Sequence, residues 1–261
     1  MKATLKMPAF SVRLYGVFIA VFLEMHGLGR LFINLPYLLN AGLTSGTVLL
    51  SLLLLYHRSA GKTRLAAIRG IGLGKTGFAN LVPGLALSVL LLLFYPVLGW
   101  FLHTPIQMAD AGLLNLAGLF LTGGLMEEAV FRGFLFGSLR RRGSFRRAAL
   151  ESMVGFALVH LLLFLYLDWP IALLSTILAT GISIPLAYLY EKAGNTIWGA
   201  ALVHASIRTI GLVFTTTEPQ YQTLALAWMG VCLLVPWLVL LFDANFRKLW
   251  SAKPGAQPGL V

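Results

Sequence analysis

The sequence predicts an all-α fold, a polytopic bundle of about eight membrane-crossing helices with both termini in the cytoplasm. Three observations carry this. Of 261 residues, 58% are hydrophobic and only 11% charged, against about 45–50% and about 25% in ordinary soluble domains. The mean hydropathy is +0.84. The stretches 78–102, 171–190 and 223–242 hold no Asp, Glu, Lys or Arg, and each is long enough to cross a hydrocarbon layer of about 30 Å. These numbers exclude a disordered chain, a collagen-like chain and a soluble nucleic-acid-binding domain.

The crossings are expected at 10–28, 35–56, 78–102, 112–139, 148–167, 170–190, 195–214 and 223–242. The first is the weakest, because Glu24, His26 and Arg30 crowd its end. Lys2 and Lys6 before it imitate a signal peptide, but no small-residue cleavage pattern follows, so it reads as an uncleaved span. The fourth carries Glu127, Glu128 and Arg132, with Gly118, Gly123 and Gly124 for close helix packing. Glu151 and His160 lie on the fifth, His204 and Arg208 on the seventh. Cys232, the only cysteine, lies inside the last, so no disulfide framework is expected. The chain ends Pro258-Gly259-Leu260-Val261, without a prenylation box. It reads as a single transmembrane domain over 1–261 with no internal repeat, and the Pro/Gly-rich tail 251–261 is expected to be disordered.

Charge sorts the connections. Arg58, Lys62, Arg64, Arg69 and Lys75 follow the second crossing, and Arg140, Arg141, Arg142, Arg146 and Arg147 follow the fourth. Lys192 follows the sixth, and Arg247, Lys248 and Lys253 the last. The alternate connections carry Asp110, Asp168 and Glu218, with Arg30 as the one basic residue. The positive-inside rule puts the basic set in the cytoplasm and accounts for a net charge of +11 without nucleic acid. The arginine cluster 140–147 suits anionic lipid. Segment 57–77 is either a short interfacial helix or a solvated loop.

Ionisable side chains inside a bilayer cost several kcal/mol, so each one is a candidate for function. Glu127 lies 13 residues before Arg140, His160 13 after Arg147, and His204 12 after Lys192. At 1.5 Å per residue all three sit about 18–20 Å from the inner surface, as a common site requires. Glu128 and Arg132 form an i,i+4 pair with the acid first, the favourable order. Glu127 points about 100° away and has no local partner. A lone carboxylate in apolar surroundings takes up a proton more readily and can pass it on near neutral pH. Glu24 and His26 read as solvated near the outer interface.

Glu127-Glu128-Ala-Val-Phe-Arg132, Phe156-Ala-Leu-Val-His160 and His204-Ala-Ser-Ile-Arg208 resemble the EExxxR, FxxxH and HxxxN motifs of the CPBP intramembrane proteases. That family includes the CAAX prenyl endopeptidases and the bacterial Abi proteins linked to bacteriocin immunity. The resemblance covers about residues 110–214, and the three motifs fall on separate spans in the family's order. It implies a glutamate endopeptidase without a covalent intermediate, acting on a membrane-associated protein or peptide. The substrate would be lipidated or C-terminally tagged, and the location a cell membrane, the bacterial inner membrane. It further implies that Glu127 activates water with help from His160 and that His204 steadies the oxyanion. Glu128 and Arg132 would fix the helix, and Phe156 would pack beside the site.

One position departs, because Arg208 stands where the family has Asn. It faces the same way as His204 and can donate to an oxyanion or bind a substrate's terminal carboxylate. Alternatively it pairs with a glutamate and quenches the site, leaving a catalytically silent membrane protein that acts in bacteriocin immunity or partner binding. No cofactor is expected. A zinc site of one Glu and two His is the alternative, though HExxH is absent. A proton-relay transporter lacks the paired broken helices and internal repeat of that class. No Gly-x-Ser-x-Gly elbow occurs, and Asp110, Asp168 and Asp243 all lie at span ends, so serine and aspartyl proteolysis are disfavoured.

Overall fold

The computed structural model describes residues 7–60, 63–165 and 167–252; Lys2, Lys6, Lys62 and the tail from 253 lie outside the described residues. The described residues are mostly helical, beginning with α1 (Met7–Leu31), α2 (Tyr37–Ala60), α3 (Arg64–Gly70) and α4 (Phe78–Phe101). After a two-residue strand β1 (Gln107–Met108) comes α5 (Gly112–Arg140), then α6 (Phe145–His160), which tightens to a 3₁₀ turn over Leu161–Leu165. There follow α7 (Trp169–Lys192), α8 (Trp198–Ile207), β2 (Phe214–Thr215), α9 (Glu218–Phe242) and α10 (Ala244–Ser251). Segment 57–77 thus contains a short helix, α3, whose start is capped by Thr63. Ser144 and Asp243 cap α6 and α10 in the same way.

Among the described residues seven helices are long and apolar enough to cross a membrane, and the protein is an all-α membrane bundle. Large apolar side chains such as Trp100, Phe101, Leu165 and Phe242 point outward, where lipid rather than water accommodates them.

The expected helix at 195–214 is corrected. α8 has only ten residues, about 15 Å, half the hydrocarbon thickness. Residues 208–217 finish the crossing as turns and the strand β2, which pairs antiparallel with β1. Such backbone is tolerated at membrane depth only where protein satisfies it. Here Trp228 Nε1 donates to the Ile207 carbonyl at 2.9 Å, Asn115 to that of Leu212 at 2.7 Å, and the Ala109 N–H to that of Val213 at 2.9 Å. The turn closes on the Thr209 carbonyl, which accepts from the N–H groups of Val213 and Phe214 at 2.8 and 3.1 Å.

The ends of the bundle separate as the charges do. At the basic end Arg140 pairs with Glu191 at 2.7 Å and Lys192 with Asp243 at 3.5 Å. There too the Ile197 N–H and Trp198 Nε1 donate to the carbonyls of Gly72 and Gly74, and the Arg142 guanidinium lies 3.6 Å from the ring centre of Phe10. At the other end lie the β1–β2 pair and the bond from Asn40 to the Gly29 carbonyl. The positive-inside rule turns the basic end to the cytoplasm. Asp243 is partly buried there, but its bonds to the Tyr188 hydroxyl, the Asn245 N–H and Lys192 outweigh burial and hold its carboxyl below the usual range.

Two apolar clusters hold the helices together. One joins α1, α2, α5, α6 and α10 around Phe18, Leu52, Phe131, Phe145 and Phe246, and the other joins α4, α7, α8 and α9 around Leu91, Leu186, Val203 and Trp228. α4 and α8 touch backbone to backbone. A Cβ added at Gly84 would lie 2.6 Å from the Gly199 carbonyl oxygen and 2.7 Å from its Cα. Gly84→Leu is therefore expected to lower stability by about 1–3 kcal/mol, read as a lower melting temperature in detergent.

Candidate active site

The site is built on the middle of α5, where the helix widens. Phe120–Glu127 and Ala129–Phe136 are π-helical, and the two glutamates sit at their junction. π-turns inside α-helices occur frequently at functional sites. Nothing in the residue spacing signals this widening. The i,i+4 pair survives it, because Arg132 Nη1 donates to Glu128 Oε1 at 3.0 Å.

Glu128 has no exposed surface, and it does more than pair with Arg132. The same oxygen accepts from His204 Nδ1 at 2.6 Å. A carboxylate oxygen only accepts, so the Nδ1 proton belongs to the histidine and the ring orientation is fixed. That orientation turns His204 Nε2 toward Glu127, whose Oε2 is 3.6 Å away. Glu128, His204 and Glu127 therefore form a chain in which a buried carboxylate orients an imidazole against a second carboxylate. Glu128 Oε2 and Arg132 Nη2 are buried without a protein partner among the described residues.

Arg208 follows α8 directly and, four residues after His204, lies on the same side as the imidazole. Its Nη1 donates to Glu127 Oε1. Of the alternatives open to Arg208, the structure shows pairing with a glutamate: Glu127 finds its partner in the residue that follows α8, which stands where the family has Asn. Arg208 is 40% exposed and Glu127 15%, so the guanidinium is the open face of the pair. Gly123 makes room for it, since a Cβ there would lie 2.9 Å from Arg208 Cδ and 3.6 Å from His204 Cδ2.

His160 approaches from α6. Its Nδ1 donates to the Phe156 carbonyl at 2.8 Å, which leaves Nε2 as the nitrogen available to the site. The ring lies against that of Phe156, 4.3 Å between centres, and Arg132 covers the same phenyl at 4.8 Å. Phe156 is a packing residue that joins the two. No hydrogen bond links His160 to either glutamate among the described residues, but Glu127 and His204 both lie within its electrostatic reach. All seven residues singled out from sequence gather in one place. The reading missed the Glu128–His204 bond, for which the sequence holds no signal. His26, read as solvated near the outer interface, is half-buried, with its ring against Phe22 at 4.2 Å between centres and Nδ1 donating to the Phe22 carbonyl at 3.2 Å. Glu24 likewise has a protein partner, accepting from Ser51 at 2.7 Å.

Residues 109–210 match the family model of the Rce1-like proteins, described as type II CAAX prenyl endopeptidase Rce1-like. The chain carries an Rce1-like core. No curated protein and no solved structure matches the chain. The Rce1-like segment begins with the residue whose N–H holds the Val213 carbonyl and ends three residues after α8. It therefore contains all seven site residues but less than half of the chain. α1 to α4 and α9 lie outside it. The family is one of membrane-embedded CAAX proteases, whose substrates are membrane-associated proteins. Among the described residues no group of three His, Cys, Asp or Glu side chains is placed to hold a metal ion.

Proposed function

We propose that the chain is a multi-pass endopeptidase of a cell membrane, in the setting of a bacterial inner membrane. It hydrolyses a peptide bond of a lipidated or C-terminally tagged protein by glutamate-activated water. The observation that supports this most is the Glu128–His204–Glu127 chain, because an imidazole oriented beside a second carboxylate suits proton transfer. Glu127, once released by Arg208, takes a proton from water, and His160 Nε2 holds that water by its other side. The hydroxyl adds to the peptide carbonyl. His204, oriented by its bond to Glu128, donates from Nε2 to the oxyanion. Collapse breaks the C–N bond, and the amine leaves with a proton drawn from the site.

The Arg208–Glu127 pair favours a second reading, a silent member whose carboxylate is held permanently. The two readings separate on the purified full-length protein with an S-farnesylated peptide that carries three residues beyond the modified cysteine, its fragments measured by mass spectrometry. The endopeptidase reading expects hydrolysis by wild type. It also expects Arg208→Asn to raise the rate up to roughly fivefold, the equivalent of about 1 kcal/mol for an exposed ion pair. Absence of cleavage by both proteins would establish the silent reading. A large loss in Arg208→Asn would instead place the guanidinium on the substrate.

A further inference from the structure

α1 lies outside the Rce1-like segment, yet it repeats one of the site's motifs. Phe22-Leu-Glu-Met-His26 has the Phe-x-x-x-His spacing of Phe156-Ala-Leu-Val-His160. The two copies have the same local geometry. His26 Nδ1 bonds the Phe22 carbonyl at 3.2 Å, as His160 Nδ1 bonds that of Phe156 at 2.8 Å, and each ring lies against its own phenylalanine at 4.2 or 4.3 Å between centres. Both phenylalanines pack on one ring, Phe131 of α5, at 6.3 and 4.2 Å.

Phe131 stands four residues after Glu127. α1 and α6 both run from the basic end of the bundle and α5 runs toward it, so four residues forward on either flanking helix correspond to four residues back on α5. The layer Phe22–Phe131–Phe156 is therefore followed by the layer His26–Glu127–His160. The Arg142–Phe10 contact gives an independent measure of level: from 10 to 26 along α1 is sixteen positions and from 142 back to 127 is fifteen. Both imidazoles lie within electrostatic reach of Glu127, and both are half-buried, as groups beside a substrate space must be. With Nδ1 committed to a backbone carbonyl, which only accepts, His26 offers Nε2 to whatever enters. The charged groups around it are Glu127 of α5, His160 of α6, Glu24 of its own helix, bound to Ser51 of α2, and Arg30 one turn further on.

We infer that His26 is a further catalytic residue, the acid that protonates the departing amine beside Glu127. The inference rests on the endopeptidase reading. When the tetrahedral intermediate collapses, the C–N bond breaks, its electron pair goes to nitrogen, and nitrogen takes the Nε2 proton of protonated His26. The neutral imidazole then recovers the proton that Glu127 took from water. One water is consumed, and one amine and one carboxylic acid are formed.

An amine needs this proton to leave and an alcohol hardly does, so the test compares the farnesylated peptide with its ester analogue at the scissile bond. His26→Phe, which keeps an aromatic ring on Phe22, is expected to lower kcat on the amide on the order of 10²-fold with KM unchanged. Hydrolysis of the ester should stay within a few-fold of wild type. Equal losses on amide and ester, or none on either, would overturn the assignment while leaving the endopeptidase reading in place. If wild type cleaves neither compound, that reading falls and His26 with it. If His26→Phe lowers the melting temperature markedly, His26→Gln is measured by the same amide–ester ratio.

Discussion

Glu127→Gln is expected to lower peptide hydrolysis on the order of 10²–10⁴-fold, the range spanned by general acid–base catalysis. The substitution keeps the shape of the side chain and a hydrogen-bonding group for Arg208, but the amide cannot accept a proton from water. Glu128 does not replace it, because that carboxylate is fully buried and held by Arg132 and His204. The variant should fold, since Glu127 is partly exposed beside Arg208 and it is Glu128 that carries the fully buried ion pair. A melting temperature close to that of wild type, measured beside the rate, separates lost chemistry from lost structure. Residual hydrolysis near the wild-type rate would remove Glu127 from its role.

Glu128 should behave in the opposite way. Glu128→Ala leaves the Arg132 guanidinium, 2% exposed, without its counter-charge, a change that costs about 3–5 kcal/mol when a buried pair is broken from one side. Aggregation or a large fall in melting temperature is the expected result. Replacing both partners by apolar residues, Glu128→Leu with Arg132→Met, removes the unpaired charge along with the pair, and such exchanges are often neutral for stability. The double variant should thus regain the fold and still lack activity, by a factor on the order of 10². His204 Nδ1 has lost the acceptor that orients the ring. Recovery of both fold and activity would show that Glu128 serves only the helix.

Much of this was legible from residue types. The uncharged stretches mark the long spans because length and composition alone decide whether a helix can lie in hydrocarbon. The basic loops order the ends because topology is written in charge. The common depth of Glu127, His160 and His204 follows from helical rise, and the structure gathers these residues. What escaped depends on bonds between distant residues. The half-length of α8 is hidden, since 198–214 stays apolar past Ile207 and its broken backbone is satisfied by Asn115 and Trp228, far away in sequence. Arg208 was seen as a departure with three possible partners, and only the packing of α8 on α5 selects Glu127. His26 was set aside for its place near the end of a weak span. The repeated Phe-x-x-x-His spacing was the signal that places it beside Phe131.

The short helix also constrains how the protein is made. A ten-residue segment followed by unpaired carbonyls is a poor candidate for transfer from the translocon to lipid as a unit of its own. The groups that cover those carbonyls come from Ala109 and Asn115, synthesised earlier, and from Trp228, synthesised later. His204 and Arg208 consequently reach their final positions only after the last long span has emerged from the ribosome. A nascent chain halted before residue 228 would carry the whole motif set but lack the indole that covers the Ile207 carbonyl, so the centre is expected to assemble only once α9 has been made.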